Sequence, residues 1–317
     1  MVKHKRAIVT GGAGFIGSHL ASELVKRGYH VTILDDLSTG KRENIAALLN
    51  STGHSDADFF KGSITDLPLL QEVFTGADFI FHQAALPSVP RSVKNPLASH
   101  EVNMTGTLNV LLAARDNSVK KVVYASSSSV YGDTPTLPKR EDMPPNPQSP
   151  YAVSKVAGEY YCQVFQEIYG LSTACLRYFN VYGPGQDPNS QYAAVIPRFI
   201  TSVSQGKAPV IFGDGEQSRD FTFVRDVVEA NILAAETEAS GVFNIGKGER
   251  TSINQLAEII IGFADNNVVP THEEPRAGDV KHSLADISRA RTFGYNPKYT
   301  LEEGLRETIN SLQRIAE

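Results

Sequence analysis

A glycine-rich turn near the start of the chain restricts the fold more than any other stretch of the sequence. The apolar residues Ala7–Val9 lead into glycines at positions 11, 14 and 17, and a helical pattern then continues to Arg27. Glycines at this spacing allow a tight turn, let the backbone approach a pyrophosphate, and let the helix N-terminus face that anion. The pattern therefore predicts a dinucleotide-binding site, whereas a flexible loop is the alternative for an isolated glycine pattern.

A second predicted strand supports the dinucleotide interpretation. His30–Leu34 form a short strand-like run that ends at Asp35, about 20 residues beyond the glycine turn. A carboxylate at this place can accept hydrogen bonds from a ribose diol and would repel a 2′-phosphate. The sequence therefore predicts NAD as the cofactor in preference to NADP.

Short apolar segments alternate with helical patterns through much of the chain. Further strands are predicted at 58–61, 78–82, 121–125, 173–177 and 241–246. This alternation predicts an α/β fold, namely a Rossmann-type doubly wound parallel sheet with a smaller C-terminal α/β lobe. Ligands of such sheets bind at the carboxyl ends of the strands. The residues predicted to lie there are Ser63, Ile64, Gln83, Ala84, Ala85 and Ser127.

The character of the sequence changes past Asn180, where turn-rich segments replace the regular alternation. Helices are predicted at 195–205, 253–264 and 301–315. We expect residues 1–180, together with about 220–250, to form the dinucleotide-binding domain. Residues 181–219 and about 251–317 are expected to form the smaller lobe.

A serine run and a tyrosine–lysine pair supply the candidate chemistry. Ser149-Pro150 predicts a helix start, so Tyr151 and Lys155 lie one turn apart on one helix face. A fixed ammonium favours a phenolate and lowers the phenol pKa from about 10 toward the working range. A hydroxyl from the run Ser126–Ser129 can bond the same substrate oxygen, which suits general acid–base chemistry on a sugar alcohol. The alternative is an exposed pair on a helix surface.

Composition narrows the classes of partner and compartment. The chain has 317 residues, a net charge of -5 and a pI of about 5.9, and it contains no Lys/Arg block, which argues against nucleic acid as the main partner. Cys162 and Cys175 lack zinc-site spacing, so we expect no metal and interpret both as buried free thiols in a reducing cytoplasm. No stretch reaches the length of a membrane-spanning helix.

Taken together, the motifs resemble the extended short-chain dehydrogenase/reductase family over nearly the whole chain. Within that family they are most similar to the nucleotide-sugar 4-epimerases that act on UDP-hexoses and UDP-N-acetylhexosamines. The elements that carry the resemblance are Thr10–Gly17, Asp35-Asp36, Gln83–Ala85, Ser127 with Val130–Gly132, Tyr151–Lys155, Arg177–Asn180, Arg219–Phe221 and Arg276–Asp279.

The resemblance implies a reaction cycle. Tyr151, helped by Ser127, removes the proton of the C4 hydroxyl while hydride passes to tightly held NAD, and after the 4-keto sugar turns over, hydride returns to its other face. Lys155 is implied to bond the nicotinamide ribose and to depress the Tyr151 pKa. The smaller lobe is implied to hold the UDP-sugar, with arginines neutralising the diphosphate and Phe212 offering uracil an apolar face.

Two residue sets follow from the resemblance. The cofactor set is Gly11, Gly14, Phe15, Ile16, Gly17, Asp35, Asp36, Ser38, Thr39, Gly40, Ser63, Ile64, Gln83, Ala84, Ala85, Asn103, Tyr151, Lys155 and Tyr178. The substrate set is Ser88, Ser127, Ser128, Tyr151, Asn180, Ala194, Val195, Val210, Phe212, Arg219, Arg276, Asp279 and Ser283.

Departures from the family pattern select among its reactions. Sugar dehydratases and decarboxylases carry acidic residues where this chain has Ser128 and Ser129, and because hydroxyls replace an acid and a base poorly, plain epimerisation is favoured. Ser283 stands where epimerases restricted to plain hexoses often have tyrosine, so the hypothesis is that the pocket admits an N-acetyl group. Ser88 lies in a segment that also resembles the N-acetyl-accepting group.

Alternatives remain open at this point. UDP-glucuronate 4-epimerases share a similar serine run and are the nearest enzymatic rival. A dehydrogenase that releases NADH and a non-catalytic NAD-binding sensor or scaffold are the others. The helical stretches 98–116 and 151–169 carry extra apolar surface that predicts either a homodimer interface or simple packing on the sheet.

Overall fold

The strands of the protein follow the alternation seen in the sequence. The computed structural model describes residues 4–51, 56–187, 194–264, 268–275 and 280–316. The strands are β1 Arg6–Thr10, β2 His30–Asp35, β3 Ala57–Lys61, β4 Phe79–His82, β5 Lys121–Ser127, β6 Ser172–Tyr178, β7 Val181–Tyr182, β8 Val210–Phe212, β9 Ser218–Arg219, β10 Thr222–Phe223, β11 Gly241–Ile245, β12 Thr251–Ser252 and β13 Thr271–Glu273.

Helices connect these strands. They are α1 Phe15–Lys26, α2 Glu43–Ser51, α3 Leu67–Val73, α4 Val89–Lys94, α5 Pro96–His100, α6 Gly106–Asp116, α7 Pro150–Tyr169, α8 Val195–Ser204, α9 Val224–Glu236, α10 Ile253–Gly262, α11 Ser288–Arg291 and α12 Leu301–Ala316. A π-helical turn, Glu101–Thr105, joins α5 to α6, and a 3-10 turn, Ser128–Tyr131, follows β5.

One parallel sheet organises the molecule. Its strand order is β11, β6, β5, β4, β1, β2, β3, and each strand pairs in parallel with its neighbours. The chain runs outward in both directions from β1, which leaves a crevice at the carboxyl ends of β1 and β4 where ligands of such sheets bind. The predicted doubly wound α/β fold is confirmed, and the ends of the predicted sheet strands differ from the observed ends by at most two residues.

Both faces of the sheet are covered by helices, because alternate residues of each strand point to opposite faces. Val9 and Ile33 pack on one face with residues of α1 and α9. Ile8 and Ile80 pack on the other face with residues of α3, α6 and α7. Burial on both faces explains why each strand is a nearly continuous run of apolar residues in the sequence.

A third apolar cluster packs mainly elements of the region predicted as the smaller lobe. It joins Phe199 of α8, Leu256 of α10 and Leu305 of α12 to aromatic residues around β10. The region 285–295, which the sequence assigned to this lobe, instead packs in the core of the large sheet. The reason is aromatic packing, since the rings of Phe293 and Phe243 of β11 meet edge to face at 4.9 Å. The rest of the division into lobes stays a prediction.

Two helical regions reach the carboxyl edge of the sheet. The predicted helical stretch 98–116 is confirmed, because α5, the π-helical turn and α6 follow one another without leaving helical backbone conformation. Helix α9 has no counterpart in the prediction, because buried residues surround much of its circumference and hide the one-sided apolar pattern of a surface helix. Both regions place polar side chains, Asn103 and Asn231, near the carboxyl edge of the sheet.

Helix α7 begins as the sequence predicts. The Ser149 hydroxyl accepts a hydrogen bond from the Ala152 amide at 3.1 Å, and Pro150 occupies the first turn. The helix ends at Gly170, whose φ of 70° is the left-handed conformation that glycine adopts without a side-chain clash. The predicted free, buried thiols are confirmed for Cys162 on this helix and Cys175 on β6, whereas a cytoplasmic location stays a prediction.

No helix within the described ranges is long and apolar enough to cross a bilayer.

Helix α7 lies unusually close to the sheet at one glycine, which generates a stability prediction. A Cβ atom on Gly158 would lie 2.3 Å from the phenolic oxygen of the buried Tyr124. We expect Gly158→Ala to lower the free energy of unfolding by about 1–3 kcal/mol through overpacking. Gly262→Ala is the control, because a Cβ there meets nothing within 4 Å. Urea denaturation of both variants is the measurement, and equal stabilities would contradict the close-packing argument.

Candidate active site

A deep cleft of about 640 Å³ opens at the carboxyl edge of the sheet. Its volume lies within the usual range for small-molecule and cofactor sites. The predicted residues that line it are Gly11, Gly14, Phe15, Ile16, Gly17, Asp35, Asp36, Ser38, Thr39, Ser63, Ile64, Gln83, Ala84, Ala85, Ser88, Tyr151, Lys155, Tyr178 and Ala194. Most of the predicted cofactor set therefore meets in one place.

The glycine turn after β1 fits a dinucleotide. Gly11 has a φ of 68°, and a Cβ there would lie 2.6 Å from the Ala84 backbone. A Cβ on Gly17 would lie 2.2 Å from the Gly11 carbonyl oxygen. Gly14 caps α1 without a side-chain hydrogen bond, so the first amide groups of α1 keep their capacity to bind an anion. Side chains at Gly11 and Gly17 would clash with the backbone, so glycine is what allows the turn to pack closely beneath the helix N-terminus.

Asp35 ends β2 at the wall of the cleft. One carboxylate oxygen accepts from the Ala13 amide at 3.0 Å and the other from the Leu37 amide at 2.8 Å. Burial raises the pKa of this carboxyl, and the two backbone hydrogen bonds act in the opposite direction. Each oxygen retains acceptor capacity, which is the chemistry that the hydroxyls of an adenosine ribose require.

A polar cluster fixes the cleft wall beside the last strands. The Tyr178 hydroxyl lies 3.1 Å from Gln83 Oε1, and Asn231 Nδ2 donates to the Tyr178 oxygen at 2.8 Å. The Gln83 amide nitrogen also donates to Asn231 Oδ1 at 3.0 Å. Burial raises the pKa of Tyr178, so this phenol stays protonated and serves in positioning. Asn231 was missed in the sequence because α9 was missed.

The structure brings Tyr151, Lys155 and Ser127 together. Ser127 ends β5, and its hydroxyl acts to lower the pKa of the Tyr151 phenol. The Lys155 ammonium lies 5.7 Å from the centre of the Tyr151 ring and donates a hydrogen bond to the Ala125 carbonyl at 2.8 Å. Tyr151 and Lys155 line the cleft from the same side, which is the arrangement that their one-turn spacing predicted.

Burial dominates the acidity of this group. The pKa of Tyr151 is raised above its ordinary value by burial, and the Ser127 hydroxyl lowers it only in part. Burial lowers the pKa of Lys155 to about 8, while the negative charge of Glu159 acts to raise it. The depression of the Tyr151 pKa by Lys155 stays a prediction.

Several predicted residues lie behind the cleft rather than on its wall. Buried Asn103 holds the loop before α4, since its side chain accepts from the Leu86 amide at 2.7 Å and donates to the Leu86 carbonyl at 3.2 Å. Gly40 lies against the Asp35 carboxylate, where a Cβ would come within 2.7 Å. Ser128 begins the 3-10 turn after β5. None of the three is among the residues that line the cleft.

Ser283 also lies away from both cavities described here. It is buried, and its amide donates to the Ser218 carbonyl at 3.0 Å, beside Arg219. The predicted Arg276 and Asp279 fall outside the described residues. Ser283 therefore contacts β9, the strand that carries Arg219, and can affect the second cavity through that strand.

A second cavity of about 270 Å³ adjoins the first, and Ala194 lines both. Predicted substrate residues that line it are Asn180, Ala194, Val195, Val210, Phe212 and Arg219. It offers an aromatic face and cationic groups together, because the guanidinium of Arg198 stacks over the Phe212 ring at 5.5 Å. This is the surface that a planar base joined to an anionic group would fit.

Some lining residues were missed by sequence reasoning. In the first cleft they include Leu86, Arg91 and Val102, and in the second Arg198 and Gln217. Arg91 and Arg198 lie on helices and reach the cavities only through tertiary packing, so no local motif marks them. The one signal that could have found Arg91 is its position three residues after Ser88, which was predicted to bind substrate.

Comparisons with known proteins agree with this geometry. Residues 7–246 match the family model described as the NAD dependent epimerase/dehydratase family. A curated relative, the UDP-glucose 4-epimerase of Mycolicibacterium smegmatis, is 43% identical over 96% of this chain and 97% of its own length. The chain therefore belongs to the NAD dependent epimerase/dehydratase family, and it is an NAD-using enzyme of that family.

Two solved structures extend the comparison over the whole chain. The UDP-N-acetylglucosamine 4-epimerase of Methanobrevibacter ruminantium M1, in complex with UDP-N-acetylmuramic acid, has a TM-score of 0.94 and 44% identity, covering 99% of this chain and 100% of that chain. The UDP-glucose 4-epimerase of Thermotoga maritima with UDP-glucose has a TM-score of 0.93 and 38% identity, covering 98% and 100%.

Proposed function

We propose that this enzyme is a UDP-hexose 4-epimerase that retains its NAD through the catalytic cycle. The observation that carries the proposal is the position of Tyr151 and Lys155, on the wall of a cleft suited to a dinucleotide that adjoins a second cavity suited to a nucleoside diphosphate. A hexose that joins the second cavity to the nicotinamide end of the first would present its C4 hydroxyl to Tyr151. The similarity to 4-epimerases of two different UDP-sugars supports this choice within the family.

The chain's own residues supply the proton chemistry. Tyr151, once deprotonated, takes the proton of the C4 hydroxyl and returns it to the same oxygen after the 4-keto sugar has turned over. Ser127, beside Tyr151, would share the substrate oxygen and hold it in line with the phenol. The Lys155 ammonium stabilises the charge that develops on the phenolic oxygen. NAD, which the glycine turn and Asp35 would hold in the first cleft, would supply reversible hydride acceptance, so the reaction would involve no net oxidation.

The second cavity would hold the nucleotide. Arg219 would form charge-assisted hydrogen bonds with the diphosphate, and Phe212 would stack on the uracil. Asn180, which bonds the Asp220 carbonyl through its side chain at 3.2 Å, lies where the two cavities approach each other. Arg276 and Asp279 keep their predicted substrate roles as proposals.

A direct assay tests the reaction. Purified protein is mixed with UDP-Glc, UDP-GlcNAc or UDP-GlcA without added cofactor, and the products and the absorbance of NADH are measured. We expect 4-epimers to form and NADH to stay below the enzyme concentration. Tyr151→Phe should reduce turnover by about 10²–10⁴-fold while keeping bound NAD, because it removes only the proton-transferring oxygen. Tyr160→Phe, on the exposed side of α7, is the control.

Each other outcome of the assay selects a different function. Free NADH in proportion to substrate would establish a dehydrogenase, and UDP-GlcA as the preferred substrate would establish the glucuronate rival. Bound NAD that no UDP-sugar reduces would establish a sensor or scaffold. Near-normal turnover by Tyr151→Phe would remove Tyr151 as the base.

We further propose that the substrate range includes the N-acetylated pair UDP-GlcNAc and UDP-GalNAc. Support comes from the small side chain of Ser283 beside the Arg219 strand and from the similarity to a UDP-N-acetylglucosamine 4-epimerase.

The range of substrates predicts a selective effect of one substitution. Ser283→Tyr should lower kcat/KM for the N-acetylated pair by at least about 10-fold and should spare the plain hexoses. The reason is that the larger side chain would take up room needed by the N-acetyl group, a change worth about 1–3 kcal/mol. The matched control is Ser204→Tyr at the exposed end of α8. Equal losses for both sugar pairs would sink the specificity role of Ser283.

The protein is also proposed to be a homodimer. Helix α7 exposes a stripe at Val153, Tyr160, Val164 and Ile168, and Leu97 of the adjacent α5 is 80% exposed. Residues at this spacing share one helix face, so two copies of α7 can pack these stripes against each other.

Sedimentation of one charged variant tests the dimer. Val164→Glu places two carboxylates in the proposed interface, and we expect it to sediment as a monomer at micromolar concentration while the unaltered protein sediments as a dimer. Gln163→Glu adds the same charge beside the stripe and is the control. A monomeric unaltered protein would overturn the proposal.

A further inference from the structure

A buried ionic network joins helix α7, which carries Tyr151 and Lys155, to strands β5 and β6. Glu159 follows Lys155 by one turn of α7 and is 5% exposed. Its carboxylate accepts Arg177 Nε at 2.9 Å and Arg177 Nη2 at 2.7 Å, and Arg177 is 3% exposed. The Ser126 hydroxyl donates to the same carboxylate. A paired charge at this depth is expensive to bury, so its retention next to a functional lysine calls for a reason.

We propose that Glu159 and Arg177 are positioning residues that together set the charge of Lys155: the Glu159 carboxylate maintains the Lys155 ammonium, and Arg177 limits how strongly it does so. This inference rests on the proposed function for its catalytic meaning. Neither residue lines either cavity, so both act through Lys155 and the strands beside it.

The geometry ties the network to every predicted catalytic element. Ser126 pairs with Arg177 in the register of β5 and β6, and the next pair along is Ser127 with Tyr178. Glu159 therefore holds α7 against the two strand ends that carry Ser127 and Tyr178. Displacement of this contact would move the hydroxyl, the phenol and the ammonium relative to one another.

The surroundings of Lys155 explain why a carboxylate is needed. The ammonium is 4% exposed and lies 5.0 Å from the centre of the Tyr124 ring and 5.7 Å from that of Tyr151. The ammonium donates a hydrogen bond to the Ala125 carbonyl, which is neutral. Burial of a cation in such surroundings favours its neutral form. The ionisable groups that face or approach it are Tyr124 on β5, Tyr151 and Glu159 on α7, His82 on β4 and Arg177 on β6.

Among these groups only Glu159 can favour the ammonium at neutral pH. His82 is hydrogen bonded by Thr10 at 2.8 Å and Thr107 at 3.0 Å, and burial, with a smaller effect of Lys155, lowers its pKa to about 3, so it is neutral. The two tyrosines are protonated, because burial raises the pKa of each. The carboxylate of Glu159 is the compensating charge.

Arg177 is suited to the limiting role. Burial disfavours its charge, and the hydrogen bonds with Glu159 outweigh that effect and raise the pKa of the guanidinium. It stacks over the Tyr131 ring at 4.7 Å, and its Nη1 has no partner among the described residues. It therefore stays charged and fixed, and it offsets a constant part of the Glu159 field at Lys155.

A set of three variants separates charge tuning from simple structural support. Glu159→Gln keeps the shape and can still accept from Ser126 and Arg177, but it leaves Arg177 as an uncompensated cation. We expect the Lys155 pKa to fall by roughly 1–3 units. Arg177→Met should shift the Lys155 pKa upward, and the double variant Glu159→Gln/Arg177→Met should return it to within about 0.5 unit of the original.

The primary readout does not require turnover. Proteins labelled with ¹³C-lysine are titrated by NMR with NAD bound, and the Lys155 resonance is assigned with Lys155→Arg. The second readout is the pH dependence of kcat, whose alkaline limb should move to lower pH in Glu159→Gln, because the ammonium is lost earlier as pH rises. Failure of the proposed function would remove the second readout and leave the first intact.

Controls and contrary results are defined by the same set. Glu167→Gln, exposed two turns further along α7, should leave the Lys155 pKa and kcat unchanged. Glu159→Asp keeps a carboxylate, so its Lys155 pKa should lie much closer to that of the unaltered protein than the Lys155 pKa of Glu159→Gln does. Thermal melting and NAD content report folding, and the double variant, which buries no lone charge, guards against a misfolded single variant. An unchanged Lys155 pKa in both Glu159→Gln and Arg177→Met would overturn the proposal.

Discussion

The contact between helix α7 and strands β5 and β6 is the interaction on which the site depends. Gly158 lets the helix approach the Tyr124 ring, and Cys162 and Phe165 continue the contact into the core. Because the helix is held this closely, one side of it presents Tyr151 and Lys155 to the cleft and another side exposes the apolar stripe. The buried pair of Glu159 and Arg177 fastens the same helix to the strand ends.

Burial, more than any single hydrogen bond, sets the electrostatics of the cleft. It raises the pKa of Tyr151 and lowers that of Lys155, so each group is pushed toward its neutral form. Proton exchange between a neutral phenol and a sugar hydroxyl is easiest when the two acidities approach each other. In the proposed mechanism the charge of Lys155 therefore matters, and the buried carboxylate of Glu159, one turn along α7, is proposed to maintain that charge without touching the substrate.

In the proposed mechanism, the adjoining cavities let one enzyme turn a substrate over without releasing it. In the cleft at the sheet edge, glycines 11 and 17 leave no room for side chains and Asp35 is held by two amides. The second cavity meets the first at Ala194. Binding of the nucleotide in the second cavity can hold the substrate on the enzyme while the hexose turns over in the first.

The sequence by itself determined the parallel sheet, the glycine turn, the carboxylate at Asp35 and the pairing of Tyr151 with Lys155. These features depend on neighbours in the chain, through strand periodicity, helix spacing and turn chemistry. Only the tertiary structure decided the role of α9 and its Asn231, the π-helical turn at Asn103, and the packing of 285–295 on the sheet. The same holds for the acidity of Tyr151, because desolvation depends on what surrounds a group in space, and the residues that surround it are distant in the chain.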